Sequence, residues 1–130
     1  MFIMDEETGD AVTRQGDTFS LSVSGITDGW QVFFSVYRGS DRSILFEIES
    51  APSNNVTTFD ITAAQSNLMT VPTGKKTEIY YYGIKRCKEV DGKMVEDTVI
   101  IGNKDVGDLN KITVYPLTTE GVENGTGESN

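Results

Sequence analysis

The sequence predicts an all-β fold, an antiparallel immunoglobulin-like β-sandwich of about seven to eight strands. Three observations lead there. Apolar residues recur with a period of two along most of the chain, and the segments so patterned are short and separated by clusters of Gly, Asp, Asn, Ser and Pro. Only one stretch, Thr62 to Asn67, carries a helix-start signal. A small barrel fits the same pattern and is the alternative architecture.

The first ten residues are acidic and read as an N-terminal arm or a short edge strand, followed by Ala11-Val12-Thr13-Arg14 and a turn at Gly16-Asp17. From Thr18, Phe19, Leu21 and Val23 alternate with Ser20, Ser22 and Ser24, which predicts a strand buried on one side. In Trp30 to Arg38, Trp30, Val32, Phe34 and Val36 alternate with Gln31, Phe33, Ser35 and Tyr37. Aromatics on both faces predict a central strand. Ser43 to Ser50 sets Ile44, Phe46 and Ile48 against Leu45, Glu47 and Glu49, with the two glutamates facing water. Val56 to Ile61 is the next strand, and Thr62 is placed to cap one short helical turn.

The longest pattern is a hairpin. Its first arm runs from Lys76 to Cys87, its tip is Asp91-Gly92 and its second arm runs from Val95 to Gly102. Asp-Gly between two strand-like runs signals a primed two-residue turn, because the glycine accepts positive φ. Tyr80, Tyr82 and Ile84 fall on one face of the first arm, opposite Ile79, Tyr81 and Lys85, so one face is a candidate core face. Lys111 to Tyr115 is the last strand, ended by Pro116. The expected organisation is an arm over residues 1–10, one sandwich domain over 11–117 and a disordered tail over 118–130, where Gly, Glu, Asn, Ser and Thr dominate.

Composition narrows the function. At 130 residues the chain fits one domain that buries roughly two-thirds of its unfolded surface. With 20 acidic and 11 basic residues the net charge is -9, which repels a phosphate backbone and argues against nucleic acid as a partner. Lys75, Lys76, Lys85, Arg86 and Lys88 are the densest basic group, but alternation splits the last three between faces and they read as solvated surface. No apolar run approaches the roughly 18 residues that cross a bilayer, and Met1 to Met4 gives way at once to Asp5-Glu6-Glu7, so neither a membrane partner nor a signal peptide is expected. The single cysteine, Cys87, forms no intramolecular disulfide, in keeping with synthesis in a reducing cytoplasm.

The chain shows no catalytic set. There is no histidine, so Cys87 lacks the usual base and reads as an inert strand residue. Glu47 and Glu49 have Cβ atoms roughly 7 Å apart by strand geometry, within the range of glycosidase carboxylates, yet nothing in the pattern buries either one. The loop Asn103 to Asn110 resembles a calcium loop in its alternate oxygen donors but lacks the bidentate glutamate and contains Lys104, so it reads as a polar turn. No cofactor, metal or enzymatic activity is expected. The remaining candidates are interaction residues, Trp30, Tyr37 and Tyr81, whose rings serve either packing against a protein partner or stacking on a sugar.

Several short motifs resemble one family. Arg14-Gln15-Gly16-Asp17-Thr18 before an alternating strand, then Asp60-Ile61-Thr62, Gly74, Tyr80-Tyr81-Tyr82-Gly83-Ile84, the turn Asp91-Gly92 and Thr98-Val99-Ile100-Ile101-Gly102 are similar in order and spacing to the N-terminal domain of phage baseplate upper proteins. The resemblance spans about residues 12 to 115. Gly83 stands where that family tends to have aspartate, and the family domain usually leads into a longer receptor-binding protein. The resemblance implies a non-enzymatic structural or assembly role in a bacteriophage or phage-derived element, as a tail, baseplate or head-decoration subunit or adaptor. Its partners would be copies of itself or other phage structural proteins, and its location the virion, after synthesis in the bacterial host cytoplasm. The competing expectation is a carbohydrate-binding or adhesive immunoglobulin-like module with a glycan partner.

Overall fold

Phe19, Leu21 and Val23 are buried while Ser20, Ser22 and Ser24 are exposed, so this alternating run is a strand with one wet face. The computed structural model describes residues 1–104 and 108–117. Among the described residues the strands are β1 (Phe2–Met4), β2 (Ala11–Arg14), β3 (Phe19–Ser24), β4 (Gln31–Arg38), β5 (Ile44–Ser50), β6 (Val56–Ile61), β7 (Glu78–Val90), β8 (Lys93–Val99) and β9 (Asn110–Tyr115). One helix, α1 (Ala63–Asn67), lies between β6 and β7.

Two sheets face each other. The larger runs β1-β2-β9-β7-β4-β5, with β8 added along the far half of β7, and the smaller is the pair β3-β6. A run of β9-β7-β4-β5 opposed by β3-β6 is the immunoglobulin-like arrangement, so the expected all-β sandwich is observed. It differs from expectation in two respects. Nine strands are present among the described residues, because the Asp5 carboxylate accepts from the backbone of Glu7 and Thr8 and folds the acidic start into a turn that lays β1 antiparallel on β2. One pair is parallel: β2 runs beside β9, with Ala11 opposite Ile112 and Arg14 opposite Tyr115. The following strand, β3, belongs to the other sheet, so β2 finds its partner at the far end of the chain.

The core lies between the sheets. Phe34 of β4 meets Phe59 of β6 at 5.6 Å between ring centroids and Tyr82 of β7 at 5.4 Å, and Val32, Val36, Ile61, Met69, Ile112 and Val114 close around them. Each such side chain removed from water contributes about 1.5–3 kcal/mol. Phe2 stacks on Phe19 at 4.3 Å, so β1 ties an edge of the large sheet to the small one. Thr62 caps α1 as expected: its hydroxyl accepts from the Gln65 backbone while the Gln65 side chain accepts from the Thr62 backbone N–H. The buried Ser66 hydroxyl of that helix accepts from Gly16 N–H and fixes the turn between β2 and β3.

The expected faces hold for β3 and β4, the candidate core face of β7 is the one that carries Tyr80, Tyr82 and Ile84, and the expectation fails in one place on β5. Ile44 was expected beside Phe46 and Ile48, yet a bulge between Val36 and Tyr37 on the partner strand sets Ile44 opposite Tyr37 on the outer face, 53% exposed. Leu45 is the extra residue, and it packs against the core.

The central hairpin is longer toward its tip than the sequence suggested. β7 pairs on one side with β4 up to Cys87, and on the other first with β9 and then with β8. Nothing between Cys87 and Asp91 breaks the ladder, so the strands continue to the turn, where Asp91 and Gly92 have φ of +52° and +78°. The tail over residues 118–130 and the centre of the loop compared with a calcium site, residues 105–107, lie outside the described residues.

Candidate functional site

Strand parity decides where the three predicted interaction residues sit. Tyr37 and Tyr81 are directly opposite each other on β4 and β7, on the outer face of the large sheet. Trp30 precedes β4 at its other end and shares parity with the buried Val32, so it points to the inner side. Two of the three residues therefore form a pair and the third stands apart.

Tyr37 borders a groove of about 300 Å³ that is also lined by Ser35, Glu47, Gly83, Lys85 and Leu109 among others. Gly83 forms its floor: a Cβ there would stand 3.1 Å from Leu109 Cδ2, so the absent side chain gives Leu109 and Tyr37 their room. Glu47 and Glu49 are exposed as expected, and the Ser35 hydroxyl donates to Glu47 Oε2 at 2.6 Å. The open face of Tyr81 is covered, because the Arg42 guanidinium lies 4.0 Å from its ring centroid. Arg42 is held in the left-handed region at φ +61° by the Asp41 turn, where the Asp41 carboxylate accepts from both the backbone and the hydroxyl of Ser43. Those hydrogen bonds hold the Asp41 carboxyl below its ordinary value.

Trp30 belongs to a second cluster at the end of the sandwich where the β3–β4 loop meets the base of the β7–β8 hairpin. The Arg86 guanidinium lies 4.4 Å and the Lys88 ammonium 4.6 Å from its ring centroid. Arg86 donates from Nε and from a terminal nitrogen to the same oxygen of Asp97, Oδ2, at 3.0 and 2.8 Å. On the other face Lys85 pairs with Glu96 at 2.7 Å, and the bond raises the affinity of the lysine for its proton while lowering that of the glutamate. The basic group is thus split between faces as alternation requires, and Lys85 and Arg86 are engaged with acids of β8. Cys87 is half-buried, with its thiol 3.8 Å from the Gln31 side-chain oxygen.

The third feature was not singled out in the sequence. Beyond Cys87 the hairpin has no strand beside β7, and along its whole length β8 has no strand on its outer side among the described residues. Val90, Met94 and Val95 are 41%, 57% and 41% exposed there. The signal was a mismatch of lengths, since β7 has 13 residues and β4 has 8.

Among the described residues, no group of three or more His, Cys, Asp or Glu side chains is placed to hold a metal ion. Asn110, from the loop compared with a calcium site, donates to the carbonyls of Thr8 and Ile101 and so clamps backbone. No described helix is long and apolar enough to cross a membrane. No family model matches the chain, and neither does any curated protein sequence.

Proposed function

We propose that this chain is a non-enzymatic structural or assembly protein of a bacteriophage or phage-derived element, a tail, baseplate or head-decoration subunit or adaptor acting through protein–protein contacts in the virion. The observation that supports an assembly role is the β7–β8 hairpin, which carries exposed Val90, Met94 and Val95 beside a strand edge that no described residue pairs. An open edge offers backbone donors and acceptors that pair with another strand, and natural proteins otherwise cover or shorten such edges. The phage assignment is supported by the order and spacing of the Arg14–Thr18, Tyr80–Ile84 and Thr98–Gly102 motifs.

The test is the protein content of particles purified from a lysate of a host carrying this sequence. Recovery of the chain by mass spectrometry at a fixed ratio to the major particle proteins is the expected result. Recovery only in the soluble fraction overturns the proposal. The carbohydrate-binding reading retains the half-buried Tyr37 beside the Glu47 groove, although Arg42 covers its neighbour Tyr81 and Trp30 lies on the other side. Binding on a glycan array that is lost in Tyr37→Ala would favour it.

A further inference from the structure

We infer that β8 is a pairing edge for the β8 of a second copy of this chain, in one antiparallel register centred on Val95. The inference rests on the assembly reading above and adds the partner and the alignment. In a two-residue turn the N–H of Lys93 points back at Val90, and antiparallel ladders alternate, so Lys93, Val95, Asp97 and Val99 turn their backbone groups toward β7. Met94, Glu96 and Thr98 then turn theirs to the free edge. A two-fold pair of β8 strands must join residues of this second set to each other.

Side chains choose among the permitted registers. With Glu96 facing its own copy, or Asp97 facing its own copy, like charges stand opposite. With Met94 facing its own copy, Asp91 comes opposite Asp97. Centring on Val95 sets Lys93 opposite Asp97 twice, Met94 opposite Glu96 twice and Val95 against Val95, with no like-charged pair, whereas centring on Thr98 joins only Asp97 to Val99 of each strand and brings no opposite charges together. The side chains are ready for this alignment. Both Arg86 donors use Asp97 Oδ2, so Oδ1 carries no hydrogen bond among the described residues, and Lys93 has no ion-pair partner among them. The partner's Lys93 would complete a chain of charges from Trp30 through Arg86 and Asp97.

The test uses the full chain with Cys87→Ser as background, so that one thiol can be placed at will. Facing residues of a non-hydrogen-bonded antiparallel pair have Cα atoms about 4.5 Å apart, within disulfide range. Val95→Cys is expected to give a covalent dimer under mild oxidation, and Met94→Cys far less of it. Equal cross-linking of the two, or none, overturns the register. Sedimentation equilibrium of the unaltered chain is expected to show a monomer–dimer equilibrium, and Lys93→Glu, checked for folding by circular dichroism, to raise its Kd roughly tenfold. A strict monomer overturns the inference while leaving the virion reading to the particle experiment. Absence from particles overturns that reading whatever the cross-links show.

Discussion

Tyr82 joins the core to the turn behind β1. Its ring packs on Phe34 and its hydroxyl donates at 2.6 Å to the carbonyl of Gly9, which belongs to the turn behind β1. Burial pushes that hydroxyl well above the ordinary tyrosine range, and the charge of Asp10 adds to the shift. In the unfolded chain the group ionises near pH 10, whereas in the folded chain it stays protonated to higher pH. Its contribution is therefore complete below pH about 10 and is lost as pH rises beyond it, at up to about 1.4 kcal/mol per pH unit. Urea unfolding across that range should show the decline, and Tyr82→Phe should flatten it while costing about 1 kcal/mol at neutral pH. Gly102 is a second sensitive position: at φ +72° its Cβ would fall 2.3 Å from the Thr8 carbonyl carbon, so Gly102→Ala should lower stability by more than about 2 kcal/mol. Alternation alone put Tyr80, Tyr82 and Ile84 on one face, and the fold makes that face the buried one. The bond from Tyr82 to Gly9 was not legible, because it spans 73 positions and no local pattern encodes it.

Among the elements, those governed by neighbouring residues followed the sequence most closely. The capping box of α1 is written in Thr62 and Gln65, and Thr62→Ala should cost about 1 kcal/mol in chemical denaturation. The primed turn is written in Asp91-Gly92. The β5 bulge was hidden because it depends on the strand across the sheet, where Tyr37 takes Ile44 as its partner and leaves Leu45 over. Its consequence can be measured. Ile44→Ser, on the outer face, should change stability by no more than about 0.5 kcal/mol, while Ile48→Ser, packed against the core, should cost several times as much. Equal costs would mean that the strand lacks the bulge. The same dependence on neighbours explains the candidate site. Trp30, Tyr37 and Tyr81 stood out by residue type, but whether the rings of Trp30 and Tyr81 are free was decided by Arg42, Arg86 and Lys88, whose approach no spacing in the sequence announces.

For the molecule as a whole, the all-β class and most of the strands came from local pattern, whereas the ninth strand and the order of strands came from pairings that cross the chain. At this scale β1 seals one side of the sandwich through Phe2 on Phe19 and through the terminal ammonium on Asp17. Removing Met1 to Met4 should cost about 1–3 kcal/mol in thermal unfolding. Dimer formation through β8 should survive the truncation, because β8 pairs with β7 and shares no ladder with β1. The parallel contact of β2 with β9 bears on how the protein carries load. If the two ends of the chain are pulled apart, β1 peels from β2 one bond at a time, because the two are antiparallel. The next step is different in kind: β2 and β9 are then drawn along each other lengthwise, and their bonds resist together. Single-molecule stretching from the termini should record a weak early event and then a stronger rupture, so the parallel pair acts as a mechanical latch.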